Sequence, residues 1–423
     1  METDLLEKAR RYRWLIFALL ALSYILVYFH RLCPAVLAVD IMRDLRAGGA
    51  LTGLLGAAYF YPYALMQLPA GLLSDSWGAR KTIAFFFVVA FIGSLVLGYA
   101  PTVAAAIVGR TLVGLGVAML FVPTMKTLAE WFHAREFAYM TGILMAMGGV
   151  GTLTAATPLV WLSAAIGWRN SFVAVGGFTL LLAALVWIFV RNRPADFGWP
   201  SPFSVETEAP PAIGLAEGVR QVLTRRHFWP LTVWFFFNCG VFFSFGGLWG
   251  GPYLMHVYGL TKAESGRILS MIAVGMIVGS PLLSWLSDKV FKGRKPMLAV
   301  AAAAMVLITG LLAFYTDGMS RPGLYGLVFS MSVCSSAIVV IGFTMNKELF
   351  PVRIAGTATG LINLFPFAGG AVFQPFLGYI LEQYPKTGVA FTLPGYKAAF
   401  LALFVSALIA FGAALLTKET FET

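Results

Sequence analysis

The chain has 423 residues, of which 59% are hydrophobic and 12% are charged, and its mean hydropathy is +0.82. Soluble domains carry about 25% charged residues, so this composition excludes a soluble globular protein and predicts a polytopic membrane protein. The net charge of +11 does not indicate nucleic-acid binding, because the basic residues cluster in loops on alternate sides of the predicted spans.

The first apolar stretch, residues 14–38, contains His30 and Arg31 well inside a segment long enough to cross a bilayer. About 20 apolar residues suffice for a crossing, and a charge at mid-depth costs on the order of 2.5–3.5 kcal/mol, so it indicates function. Tyr24, Tyr28 and Arg31 recur at helical spacing and therefore share one face. A fixed cation on a face that looks into a polar cavity predicts that an anion binds there.

Eleven further apolar spans follow, and the chain is therefore predicted to be an all-α membrane protein with twelve transmembrane helices in two six-helix bundles. They lie near 51–74, 82–100, 103–129, 138–162, 171–190, 229–256, 265–286, 297–315, 322–345, 355–381 and 397–417. The proline-rich gap between the sets predicts a linker with a short amphipathic helix near 214–223. The predicted units are an N-terminal bundle (1–190), a linker (191–228) and a C-terminal bundle (229–423).

The basic residues predict the orientation of the chain in the membrane. On the side of the N-terminus they outnumber those of the opposite loops by more than two to one, which places both termini in the cytoplasm and the chain in the inner (plasma) membrane. The polar residues 1–13 do not resemble a signal peptide, so helix 1 is expected to remain in the mature protein. Cys33, Cys239 and Cys334 lack metal-ligand spacing and are predicted to be small core residues.

The two halves repeat each other in sequence. The segment 74–81 (SDSWGARK) is echoed by 287–295 (SDKVFKGRK), and Glu130, Arg135 and Gly142 recur with identical spacing as Glu348, Arg353 and Gly360. Both echoes imply an offset of a little over 210 residues, half of the chain. Parallel repeats of six helices are typical of rocking transporters, whose site lies at the interface of the repeats.

Segments 71–81 and 109–116 resemble two signatures of the major facilitator superfamily, and this resemblance covers the whole chain. Closer similarity lies with the organophosphate:phosphate antiporters, in Tyr28-Phe29-His30-Arg31, Lys126-Thr127 and the segment 287–293. The resemblance implies alternating access and a helix 1 arginine, here Arg31, that contacts the anionic group of the substrate. It also implies loop residues that latch the halves, and the gating residues are then Asp75, Arg80, Asp288 and Arg294.

The chain differs from two related transporter groups at positions that bear on the class of substrate. The antiporters pair the helix 1 arginine with one in helix 7, but residues 238–248 contain no arginine, and one cation suits a monoanion better than a phosphate dianion. The anion:cation symporters also resemble this chain in helix 1, but Val117 stands where their helix 4 often has a glutamate. Arg110 is predicted either to have a functional role or to snorkel, with its charged group at the membrane surface. For Lys126, snorkelling is the favoured prediction.

No acidic residue lies in the middle of a predicted span, which argues against a proton-driven exporter of cationic drugs. His30 is the one midspan group that titrates near neutral pH, so it is predicted either to couple protons or simply to pack. Neutral side chains recur at helical spacing in three helices, which predicts either a mostly aromatic pocket or helix packing. They are Tyr59, Tyr63 and Gln67 in helix 2, Asn238, Phe242 and Phe245 in helix 7, and Asn363, Phe367 and Gln374 in helix 11.

The sequence therefore predicts a secondary active transporter of a small organic anion, with a carboxylate favoured. Arg31 would bind the anionic group, and the site would be shaped or coupled by His30, Tyr28, Tyr59, Tyr63, Asn238, Asn363 and Gln374. The expected partners are the substrate, a proton or counter-anion, and the lipid bilayer, with the chain as a monomer. No cofactor, metal, nucleic acid or enzymatic activity is expected, because no nucleophile–base pair or metal cluster occurs.

Three other functions stay open. The chain could be a sugar-phosphate or phosphate-ester antiporter, or a transporter-like membrane sensor that binds a ligand without moving it. An exporter of neutral or cationic compounds is disfavoured by the missing midspan acid. The substrate, the coupling ion and the direction of transport are not determined by the sequence.

Overall fold

A computed structural model describes residues 2–200 and 215–421 of the chain. In these residues, ten helices are long and apolar enough to cross a membrane. Helix 2, which is interrupted, and helix 5 complete a bundle of twelve, as the sequence predicts. The linker residues 201–214, with Pro202, Pro210 and Pro211, lie outside the described residues.

The first half of the bundle consists of six helices. Their segments are Glu2–Leu32 and Pro34–Leu45 (helix 1), Gly49–Ala57, Phe60–Leu65 and Gln67–Ser76 (helix 2), Ala79–Gly98 (helix 3), Val103–Ala118 and Phe121–Trp131 (helix 4), Ala134–Thr154 (helix 5) and Thr157–Phe189. The last segment bends at Gly167, whose φ of +79° favours glycine, so its first turns extend helix 5 and the remainder is helix 6. A 3₁₀ turn, Pro194–Phe197, and the predicted linker helix, Leu215–Leu223, follow.

The second half repeats this arrangement. Its segments are Phe228–Ser244, Phe245–Trp249 and Gly250–Tyr258 (helix 7), Lys262–Leu269, Met271–Trp285 and Leu286–Val290 (helix 8), Arg294–Phe314 (helix 9), Arg321–Ser335, Ile338–Gly342 and Phe343–Glu348 (helix 10), Val352–Glu382 (helix 11) and Leu393–Leu416 (helix 12). A two-stranded hairpin, Lys386–Thr387 with Ala390–Phe391, joins helices 11 and 12. Helix 7 contains a π-helical turn at 245–249, whereas helix 11 continues through Pro366 and Pro375.

Successive helices run in alternating directions, so the bundle has two ends. We call the end that carries Glu2 and Phe421 the terminal end and the other the opposite end. At the opposite end the halves meet backbone to backbone: a Cβ atom on Gly49 would lie 2.4 Å from the carbonyl oxygen of Gly378. A Cβ atom on Gly53 would lie 2.4 Å from the carbonyl oxygen of Gln374. Glycines therefore allow helices 2 and 11 to close this end.

Candidate functional site

The site is organised by a break in helix 1. Proline has no backbone N–H, so Pro34 cannot donate to the carbonyl of His30, four residues earlier. The guanidinium of Arg110, in helix 4, donates a hydrogen bond to that oxygen, and its Nη1 atom also lies 3.6 Å from the Cys33 sulfur. Arg110 is only 1% exposed and therefore does not snorkel. Its contact fixes helix 1 directly beside Arg31.

Arg31 lies among aromatic side chains from both halves. Its guanidinium carbon is 4.5 Å from the ring centroid of Tyr28 and 5.0 Å from that of Tyr63, both in the first half. In the second half, the corresponding distances are 5.0 Å to Phe367 and 5.7 Å to Phe243. These are cation–π distances, and we call the four rings the aromatic cage. Arg31 is 5% exposed, and its Nε atom has no hydrogen-bond partner in the described part of the chain.

Helix 2 contributes two tyrosines beside the two buried arginines. Tyr59 is fully buried, its hydroxyl donates to the carbonyl of Val27 at 3.0 Å, and its ring stacks on Tyr63 at 5.5 Å. The guanidinium of Arg110 lies 5.1 Å from the Tyr59 ring, and the hydroxyls of Tyr59 and Tyr63 interact with Arg31. Tyr59 thus contacts both arginines.

The predicted amide side chains have different surroundings. Asn363 donates to the side-chain oxygen of Gln67 at 2.7 Å, which ties helices 2 and 11 one turn from the aromatic cage toward the terminal end. Gln374 donates to the carbonyl of Phe243 at 2.8 Å, on the side of the opposite end. Asn238, in helix 7, is 2% exposed and its Nδ2 atom lacks a hydrogen-bond partner among the described atoms.

His30 is fully buried, and within the described residues neither of its ring nitrogens has a hydrogen-bond partner. Its ring packs edge-on against Phe29, with centroids 5.5 Å apart. The charged group that acts on it is Arg110 rather than a carboxylate. His30 therefore lies on the Arg110 side of helix 1.

Three of the four predicted gating residues form ion pairs, and each pair stays within one half. Asp75 pairs with Lys126 at 2.6 Å, and Arg80 instead donates to the carbonyl of Trp187 at 2.7 Å. In the second half, Asp288 pairs with Arg294, whose Nε also lies 3.5 Å from Glu348. Asp75 therefore pairs with Lys126, whose long stem reaches the terminal end, and not with the nearby Arg80.

The opposite end contains a polar link that the sequence does not predict. The ammonium of Lys262 binds the carboxylate of Asp40 and donates to the Ser163 hydroxyl at 2.8 Å. Glu382 accepts a hydrogen bond from the backbone N–H of Ala50 at 3.1 Å. Both contacts join the two halves. Asp40 and Lys262 are 222 positions apart, so no local pattern could have paired them.

The charge balance of the interior is one-sided. Among the described residues, the buried charged side chains are Arg31 and Arg110, and no carboxylate accompanies them. Arg110 is engaged by a backbone carbonyl, whereas the cation of Arg31 faces rings and hydroxyls. An interior cation without an anionic partner is costly, so Arg31 is the group with spare capacity to bind an anion.

A twelve-helix bundle of two matched halves, with a buried cation where they meet, defines a membrane transporter. A sequence model of the Major Facilitator Superfamily matches residues 20–374, and the chain belongs to this superfamily. It is 22% identical to a probable sulfoacetate transporter, SauU, of Cupriavidus necator, across 94% of each chain. It is 23% identical to a D-galactonate transporter of Escherichia coli, across 89% of this chain and 91% of that one.

Solved structures support the same fold. A bacterial homologue of the human lysosomal transporter Spinster, in an inward-facing and unoccupied conformation, superposes with a TM-score of 0.79. It is 20% identical, and the match covers 96% of each chain. At this identity the likeness concerns the fold alone.

Proposed function

We propose that this chain is a secondary active transporter that carries a small organic anion, with a carboxylate as the anionic group, across the inner membrane by alternating access. The observation that carries the proposal is the position of Arg31, buried within an aromatic cage built by both halves. A desolvated guanidinium binds a carboxylate through two parallel hydrogen bonds, and its attraction is strong because water is excluded.

The cage also links binding to movement. Tyr28 and Tyr63 belong to the first half and Phe243 and Phe367 to the second, so an anion at Arg31 contacts both halves at once. A ligand shifts a conformational equilibrium only by its differential affinity for the two states. We propose that units 1–190 and 229–423 rock about this point, joined by the linker 191–228.

The basic residues at the terminal end favour a cytoplasmic location for both termini. With that orientation, the closed opposite end faces away from the cytoplasm. The pairs Asp75–Lys126 and Asp288–Arg294 are each confined to one half, so these ion pairs do not hold the halves together at the cytoplasmic end. In this proposal Asp75, Arg80, Asp288 and Arg294 act in the gate, and His30 is the candidate for proton coupling.

The test is counterflow in proteoliposomes with wild type, Arg31→Ala and Arg31→Lys. We expect Arg31→Ala to abolish saturable anion counterflow. Arg31→Lys should retain a minor fraction of the counterflow, because an ammonium lacks the parallel, coplanar N–H donors of a guanidinium. Arg267→Ala, which removes an exposed arginine of helix 8, is the matched control and should transport normally. Full counterflow by a folded Arg31→Ala variant would refute the proposal, and binding without flux in the wild type would identify a sensor.

A further inference from the structure

The surroundings of Arg31 also bear on the part of the substrate that is not charged. Apart from the guanidinium and the hydroxyls of Tyr28 and Tyr63, the cage presents ring faces and edges, and the side chains of Phe243 and Phe367 carry no polar atom. The rings of Tyr63 and Phe367 lie 4.3 Å apart, and Phe60 packs 5.1 Å from Phe243. The walls next to the cation are therefore aromatic on the sides formed by helices 1, 2, 7 and 11.

Three polar side chains near the cage are already engaged with the protein, although the Oε1 atom of Gln374 has no partner among the described atoms. Gln67 accepts from Asn363, Gln374 donates to the carbonyl of Phe243, and the Tyr59 hydroxyl donates to the carbonyl of Val27. A polyhydroxylated ligand would have to break these bonds in order to find a partner for each of its hydroxyls. A buried hydroxyl without a partner weakens binding by on the order of tenfold.

We propose that the transported anion is a monocarboxylate with an apolar body, aromatic or branched aliphatic, rather than a sugar acid; this rests on the anion-transport function proposed above. The carboxylate binds Arg31, and the body packs on the rings of the cage, where apolar area is removed from water. The charge is required, and a second charge is disfavoured because Arg110 is occupied by the His30 carbonyl.

The experiment measures equilibrium binding to the purified full-length protein by calorimetry and thermal shift. The ligands are benzoate, cyclohexanecarboxylate, D-galactonate, D-glucuronate and the neutral isostere benzamide. We expect the two apolar carboxylates to bind at least tenfold more tightly than the two sugar acids, and benzamide not to bind. Equal or tighter binding of the sugar acids overturns the apolar-body proposal while leaving anion transport in place.

The other outcomes separate the two proposals. If benzamide binds as tightly as benzoate, the proposed role of Arg31 is refuted. If none of the four carboxylates binds, both proposals are refuted. A variant adds an internal check: Phe367→Asn places an amide in the cage, and the ratio of benzoate to galactonate affinity should fall about tenfold. The ratio is measured within one variant, so a general loss of folded protein does not change it. An unchanged ratio in the folded variant would contradict the proposal.

Discussion

The guanidinium of Arg110 donates to the carbonyl oxygen of His30, the acceptor that Pro34 leaves without its usual helical donor. A buried carbonyl without a donor is costly, so one arginine stabilises the break and at the same time holds the neighbouring Arg31 in place. Arg31, the residue proposed to bind the anion, is thus positioned by a second buried cation from another helix.

This relationship predicts coupling between Arg110 and Pro34. Arg110→Gln should lower the free energy of unfolding by about 1–3 kcal/mol, because it leaves the His30 carbonyl with only the weak hydrogen bond from the Cys33 thiol. Pro34→Ala restores a backbone N–H that can bond this carbonyl, so the same Arg110 substitution should cost clearly less in that background. Denaturant unfolding in detergent for the four proteins of the cycle measures the coupling. Strict additivity would show that the two residues act independently.

Gly53 predicts how tightly the opposite end closes. Gly53→Ala places a Cβ atom 2.4 Å from both the carbonyl oxygen of Gln374 and the Cα of Pro375, so it should disfavour the closed state by about 1–3 kcal/mol. Spin labels at Tyr99 and Tyr315, exposed residues at the opposite end of each half, report the separation by electron–electron double resonance in a cysteine-free background. We expect a longer distance population.

The matched control for this substitution is Gly71→Ala, also in helix 2. No atom lies within 4 Å of the Cβ that this change would add, so the distance distribution should match that of the wild type. An identical distribution for Gly53→Ala and Gly71→Ala would mean that glycine packing does not control closure.

The link between Asp40 and Lys262 predicts an electrostatic contribution to the same closure. Both side chains are about one-fifth exposed, at 20% and 22%, so solvent screens the pair only in part. Asp40→Asn and Lys262→Gln should each shift the equilibrium toward opening by about 1 kcal/mol. The double variant should add little, because either substitution alone already breaks the pair.

The same spin-label distances measure these variants. Lys397→Gln is the control, since its pair with Asp317 at 3.8 Å lies within the second half and should leave the distances unchanged. Fully additive single effects would argue that the two residues act through other neighbours.

Glu419 predicts a pH dependence at the terminal end. Partial desolvation raises the pKa of this carboxyl, but hydrogen bonds from four backbone N–H groups outweigh it and hold the pKa below 4.5. Two of the donors, Arg294 and Lys295, begin helix 9, so the carboxylate caps that helix. Since the folded-state pKa is depressed, the stabilisation is present above the unfolded pKa and is lost as the pH falls through the folded one.

Glu419→Gln should therefore lower the free energy of unfolding by less than about 1 kcal/mol at pH 7, because solvent screens this exposed carboxylate, and by still less at pH 4. Thermal unfolding at the two pH values measures this difference. Glu7→Gln, at an exposed carboxylate of helix 1, should show little effect at either pH. A Glu419→Gln penalty that grows on acidification would contradict the capping role.

The sequence by itself determined the twelve spans, the repeat of the halves and the presence of a midspan cation without a midspan acid. Each of these depends on composition, hydropathy or spacing along one stretch, which are local properties. It also placed Tyr28 and Arg31 on one face, and the two are in contact. The roles of the eight predicted binding residues and the four gating residues remain predictions.

Only the tertiary structure decided the partners of the charged groups. Arg110 could snorkel or point inward according to the sequence, and the packing of helix 4 against the break in helix 1 buried it. The partner of Asp75 proved to be Lys126, and that of Lys262 proved to be Asp40. Such pairs join residues far apart in the chain, and they depend on which helix faces meet and at what depth, which hydropathy does not specify.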